Sequence, residues 1–223
     1  MLRQYLDKRS AKTQGNRELS LLSIIWGKAK LWGMTELTWP AAGVKNWKNE
    51  EFAREIDFGD ALYEAIYVKG DQVLKDGMDI ATATGMRLTD VVTVRMPVDG
   101  KLRFRASKSS KWAYFDVSLS PVLTALLQRR GNVDCVMLLT TRTGRKVSLR
   151  MLRDRYEAAR EAAAAANPKI ADEIRAIWLR DCRKRAADLA TDLDAASALL
   201  QHSSKKLTSD HYRQKATELK AVR

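Results

Sequence analysis

The chain has 223 residues, 45% apolar and 30% charged, which suits a water-soluble core with at most a small appendage. No apolar run approaches the roughly 18 residues of a membrane span, the charged N-terminus lacks an apolar leader region, and two cysteines make neither a disulfide framework nor a zinc pattern. The net charge is +13 and uneven: residues 51–100 carry −5, whereas residues 101–155 hold thirteen Lys/Arg against three Asp/Glu, net +10. A block that basic suits a surface facing the phosphates of DNA or RNA. Both Cys135 and Cys182 read as reduced, packed thiols, and the expected location is cytoplasmic.

Residues 16–32 read as an amphipathic helix, with Leu19, Leu22, Ile25, Trp26 and Ala29 at three- and four-residue spacing and Gly33 as the stop. Pro40 and Gly43 open a connector through residues 46–50, the best domain boundary in the chain. That division gives a short helical segment at 1–48, too small for a complete domain, and a main domain at 49–223. Residues 60–66 and 72–82 read as two further helices, and Gly85 interrupts the second just before Arg87. The period then changes. Residues 91–96, 102–105 and 112–117 read as three strands of an antiparallel meander, with Lys108 and Lys111 in its second turn. Pro121 starts a helix through Arg129, and the apolar run 133–139 is open between helix and strand. Ser148 caps a long helix through the alanine run 162–166, which Asn167-Pro168 ends. Residues 171–189 and 194–200 are helical, and a short helix carries Tyr212. The tryptophans are expected mostly in the core, with Trp112, beside the turn, the one placed to approach DNA.

Five residues invite a chemical reading: Arg87 in Thr84-Gly85-Met86-Arg87, Lys108 in Ser107-Lys108-Ser109, Arg183 in Arg180-Asp181-Cys182-Arg183, His202 in Leu200-Gln201-His202-Ser203-Ser204, and Tyr212 in His211-Tyr212-Arg213. A strand of DNA can be cut without a metal and resealed without ATP if the bond energy is kept in a phosphoester. A tyrosine serves as nucleophile because a phenolate leaves more readily than an alkoxide, which makes the step reversible. Two arginines hold the non-bridging oxygens through planar forks, a lysine protonates the departing 5′-oxygen, and a histidine donates a further hydrogen bond or shuttles a proton. The two histidines have no metal-ligand spacing, so no metal or other cofactor is expected.

In order and local context these five residues resemble the active site of the tyrosine recombinases, the phage integrase family. The resemblance covers essentially the whole chain. It implies a mainly α catalytic domain with a small three-stranded antiparallel sheet, and residues 1–48 as the last part of the family's helical, SAM-like core-binding domain. It assigns the catalytic set to Arg87, Lys108, Arg183, His202 and the nucleophile Tyr212, with Arg180 where a histidine is usual and Gln201 where a glycine is usual. Arg180 and Arg183, three apart, are expected on one helix face toward one phosphate. Asp90 stands where the family carries an acidic residue. The implied activity is site-specific recombination of a phage, prophage or other mobile element through a 3′-phosphotyrosyl intermediate. The implied partners are double-stranded DNA, further copies in a tetramer, and a DNA-bending host factor or an excisionase. Arg103, Arg105, Lys111, Arg142, Arg145 and Lys146 form the expected DNA-contact set. Two other readings share the residues: a catalytically inactive prophage remnant that still binds DNA, and a type IB topoisomerase-like enzyme.

Overall fold

The structure, a computed structural model, describes residues 1–52, 54–107, 112–131, 133–201 and 208. These fall into two compact units, Met1–Arg54 and Glu55–Arg223.

The first unit is built on two helices, α1 (Leu2–Lys8) and α2 (Lys12–Leu31). The helix expected at 16–32 is present and begins earlier, joined to α1 by a short bend. Arg9 ties the two together by a hydrogen-bonded ion pair to Glu18 at 2.9 Å. The connector at 46–50 belongs to this unit because buried Asn16 holds it. The Asn16 amide donates to the Asn49 carbonyl and to Glu51, both at 2.8 Å, and accepts from the Asn49 N–H at 2.9 Å. Trp26, Trp39 and Trp47 meet edge to face beside that strap, with centroids 5.7 and 6.5 Å apart.

In the second unit α3 (Asp60–Tyr67) leads into α4 (Gln72–Thr84), the central helix. The one-turn α5 (Leu88–Val91) follows, then the hairpin of β1 (Lys101–Arg105) and β2 (Trp112–Asp116). Next come α6 (Pro121–Arg130), α7 (Leu149–Ala166), α8 (Ala171–Ala176), α9 (Cys182–Asp188) and α10 (Leu193–Leu200). Side-chain caps set the starts, since Asp71, Ser120, Ser148 and Asp192 each accept from a backbone N–H of the first turn. Helix α4 is buried on most sides by Leu74, Met78, Ile80 and Ala81, and packs against α6, α7 and α9. Gly77 lets α7 approach closely, because a Cβ there would stand 2.7 Å from Leu152.

The sheet has two strands among the described residues, not three. Residues 91–96 turn through the end of α5 and then pair elsewhere. The Leu138 N–H donates to the Val94 carbonyl and the Met96 N–H to the Val136 carbonyl, each at 2.9 Å. The apolar run 133–139 is therefore the partner of this segment, through an isolated bridge between Arg95 and Met137. Buried Val91, Val92 and Val94 supply the β-like pattern while packing in the helical core. The helix expected over 171–189 also breaks. Ile177 and Trp178 are extended, a single 3-10 turn covers Leu179–Asp181, and α9 begins at Cys182. The Asp181 carboxylate stabilises the break by accepting from the Trp178 N–H at 2.7 Å. None of the six tryptophans is fully buried, which overturns their expected place in the core.

Acidic residues from the −5 stretch brace the fold across long sequence distances. Asp76 and Asp79 both receive Arg129 of α6, at 2.9 and 2.7 Å. Asp71 receives Arg155 of α7 at 2.9 Å, and Asp60 receives Arg185 of α9. Burial pushes the Asp79 carboxyl above its usual range despite Arg129 and the Tyr67 hydroxyl, which donates to it at 3.1 Å.

Candidate active site

The Thr84-Gly85-Met86-Arg87 turn closes α4 and aims the chain at α5. Thr84 is fully buried. Its hydroxyl donates to the Ile80 carbonyl at 2.6 Å and accepts from the Met86 N–H at 3.2 Å. Gly85 is the left-handed C-cap with φ +60°, and a Cβ on it would meet Leu200 at 3.0 Å and Leu199 at 3.2 Å. The glycine thus makes the turn and also lets the end of α10 lie against it. Arg87 follows as the extended N-cap residue of α5.

Arg183 sits in the first turn of α9, buried to 8% exposure. Its Nη1 donates to the carbonyl of Gly85, two residues before Arg87, and its Nη2 donates to the carbonyl of Leu200 at 2.6 Å, two residues before His202. One guanidinium thereby gathers the turn leading to Arg87 and the segment leading to His202.

Asp90 is buried in α5, and its Oδ1 accepts from the Ser107 N–H at 3.2 Å. Ser107 precedes Lys108 in sequence, and this bond ties the residues just after β1 to the helix that follows Arg87. The Thr89 and Ser107 hydroxyls add a weaker contact at 3.4 Å. Lys108, Lys111, His202 and Tyr212 themselves lie outside the described residues.

Arg180 lies on the 3-10 turn that runs into α9, whereas Arg183 lies in the first turn of α9. Arg180 is exposed, with its guanidinium 3.9 Å from the Trp178 ring centroid. The pair borders a cavity of about 380 Å³ also lined by Leu88, Arg153, Tyr156 and Arg160. Arg153 and Arg160 were not expected near the site, although their seven-residue spacing on α7, with Tyr156 between, marks one helix face. Of the DNA-contact set, Arg103 and Arg105 point to solvent from β1, and Arg142, Arg145 and Lys146 are exposed around a tight turn at 141–146. Cys182, next to Arg183, is fully buried and burial pushes its thiol up to about 12, which leaves it a packing residue. No group of metal-ligating side chains occurs among the described residues.

Gln201 takes the left-handed conformation, φ 51° and ψ 43°, at the C-cap of α10. The tight turn before His202 is therefore made without glycine, at a strain on the order of 1 kcal/mol. Gln201→Gly is expected to raise stability by about 0.5 kcal/mol at most after glycine's greater unfolded-state entropy is discounted. Urea unfolding checks this as a higher midpoint at unchanged slope.

Helices packed around α4 with a small antiparallel hairpin give a fold similar to that of solved tyrosine recombinases. Two solved lambda integrase structures are similar over 100% of this chain at 18% identity. One is a dimer bound to a COC′ core site, with a TM-score of 0.76 and 81% of its length covered. The other is a tetramer bound to a Holliday junction, with a TM-score of 0.75 and 65% covered. XerA recombinase is similar over 95% of the chain at 14% identity, with a TM-score of 0.50 and 82% of its length covered. No protein-family model matches the sequence, and no curated protein matches it.

Proposed function

We propose that the chain is a site-specific DNA recombinase of the phage or prophage integrase type. The Tyr212 hydroxyl attacks the scissile phosphorus, the bond to the 5′-oxygen breaks, and the DNA 3′ end is held as a phosphotyrosine. Lys108 gives the departing 5′-oxygen its proton. Arg87 and Arg183 stabilise charge on the non-bridging oxygens, and His202 donates to one of them. Attack by a 5′-hydroxyl on the phosphotyrosine reverses the step and releases the phenol. Arg180, exposed on its 3-10 turn, contacts an adjoining phosphate. Residues 1–48 serve as the end of a core-binding segment on duplex DNA. Joining two duplexes requires further copies, in keeping with a tetramer.

The observation that carries this reading is the pair of hydrogen bonds from Arg183 to the Gly85 and Leu200 carbonyls, which joins sequence-distant segments leading to two of the proposed catalytic residues. The test is a nicked suicide duplex, from which a short strand diffuses away after cleavage. Covalent attachment to the full chain is expected. Binding without attachment would point to an inactive remnant, and relaxation of supercoils without sequence preference to a topoisomerase. Binding itself should depend steeply on salt. Neutralising about six phosphates gives a log–log slope near −5, which filter binding at several salt concentrations measures, and a flat dependence would remove duplex DNA as the partner.

A further inference from the structure

We propose that the solvent face of the β1–β2 hairpin is a stacking platform for the unpaired bases of single-stranded DNA. The alternation of the strands defines the face. Leu102 and Phe104 of β1 are buried, and Phe104 stacks on Phe115 with centroids 5.8 Å apart. Their neighbours face water: Arg103 and Arg105 on β1, Trp112 and Tyr114 on β2. Trp112 is 73% exposed and Tyr114 61%. The register sets Arg103 opposite Tyr114 and Arg105 opposite Trp112, so two aromatic–guanidinium pairs lie side by side. Lys101 adds a third cation, its Nζ 5.3 Å from the Tyr114 centroid. Asp116, opposite Lys101, has its carboxylate engaged by the Ser118 N–H at 3.0 Å and hydroxyl at 2.6 Å. The face is therefore aromatic and positive, with its one acidic side chain already engaged.

That chemistry selects the ligand. Rings two residues apart on one strand are spaced about 6.6 Å along a rigid ladder, and each offers a face on which any base can stack, while guanidinium and ammonium groups meet the phosphates. Paired bases are already stacked on each other and present only edges and backbone, so the rings of Trp112 and Tyr114 have nothing to stack on in an intact duplex. The biological source of such a strand rests on the recombinase reading, in which cleavage frees a strand end, and Lys108 of that reading lies in the sequence between β1 and β2.

The test compares a fluorescent oligothymidylate with a hairpin duplex of equal length, binding the full chain at fixed salt. Trp112→Ala and Tyr114→Ala are each expected to lower the ratio of single-strand to duplex affinity by about tenfold. Trp112→Phe keeps an aromatic face and should retain most of the single-strand affinity. Both side chains are exposed, and far-ultraviolet circular dichroism of the variants checks that they fold. An unchanged ratio in both alanine variants would overturn the proposal. So would a concentration-dependent dimer that Trp112→Ala abolishes while single-strand binding stays intact, since the face would then be a self-association surface. Suicide-duplex cleavage by the wild-type chain is run in parallel. Absence of a covalent product would remove the recombinase reading while leaving the stacking result to stand or fall by the ratio.

Discussion

Arg183→Ala should lose about 3–5 kcal/mol of stability as well as the capacity for covalent attachment to DNA. Its two bonds to main-chain carbonyls are charge-assisted, each contributing about 1.5–3 kcal/mol. The site is only 8% exposed, so water cannot readily replace the lost donors. Removing the side chain also frees the end of α10 from the Gly85 turn. Arg183→Lys keeps the charge, but one ammonium cannot reproduce a planar fork spanning two carbonyls. It should recover part of the stability and little of the cleavage. Urea unfolding and suicide-duplex trapping on both variants read the two effects separately. A wild-type unfolding midpoint for Arg183→Ala would show that the carbonyl bonds do not stabilise the fold.

Tyr212→Phe separates chemistry from binding. It deletes one oxygen and leaves the ring, so duplex affinity should stay within about twofold, while covalent product falls by a factor on the order of 10⁴ or more, as when a nucleophile is removed elsewhere. Denaturing electrophoresis of the trapped complex measures the product, and anisotropy measures the binding. Equal covalent yield from the phenylalanine variant would assign the nucleophile to another residue.

Much of the helical frame was legible because its signals are local. Asp71, Ser120 and Ser148 are capping residues followed by apolar periodicity, and the helices begin where those caps stand. The elements misread are those whose partners lie far away in the chain. Residues 91–96 are β-branched and short, yet their pairing is with 136–138, and no local pattern distinguishes that from a meander. The break at Ile177 and Trp178 depends on a backbone N–H bond to Asp181, which a run of good helix formers conceals. In the site, the glycine before Met86 and Arg87 was recognisable as a turn. The second reason that glycine suits it, the close approach of Leu199 and Leu200, comes from more than a hundred residues downstream. Arg183 was legible as a candidate. Its bonds to two carbonyls were not, because sequence identifies donors far better than it identifies the acceptors folding brings to them.

The acidic braces also change how the molecule meets a polyanion. Arg129, Arg155 and Arg185 are neutralised internally by Asp76, Asp79, Asp71 and Asp60. Arg130 spends its guanidinium on the carbonyls of Cys135 and Met137. Within the second unit, formal charge therefore overstates the field at these bridged arginines, whereas Arg103, Arg105, Arg142, Arg145 and Lys146 are exposed on the hairpin and the 141–146 turn. Exposed cations gathered on those two segments give that unit a directional electrostatic moment. Long before any contact forms, a DNA helix would exert a torque on it, turning the hairpin side inward, so that orientation is selected during diffusion and not after collision.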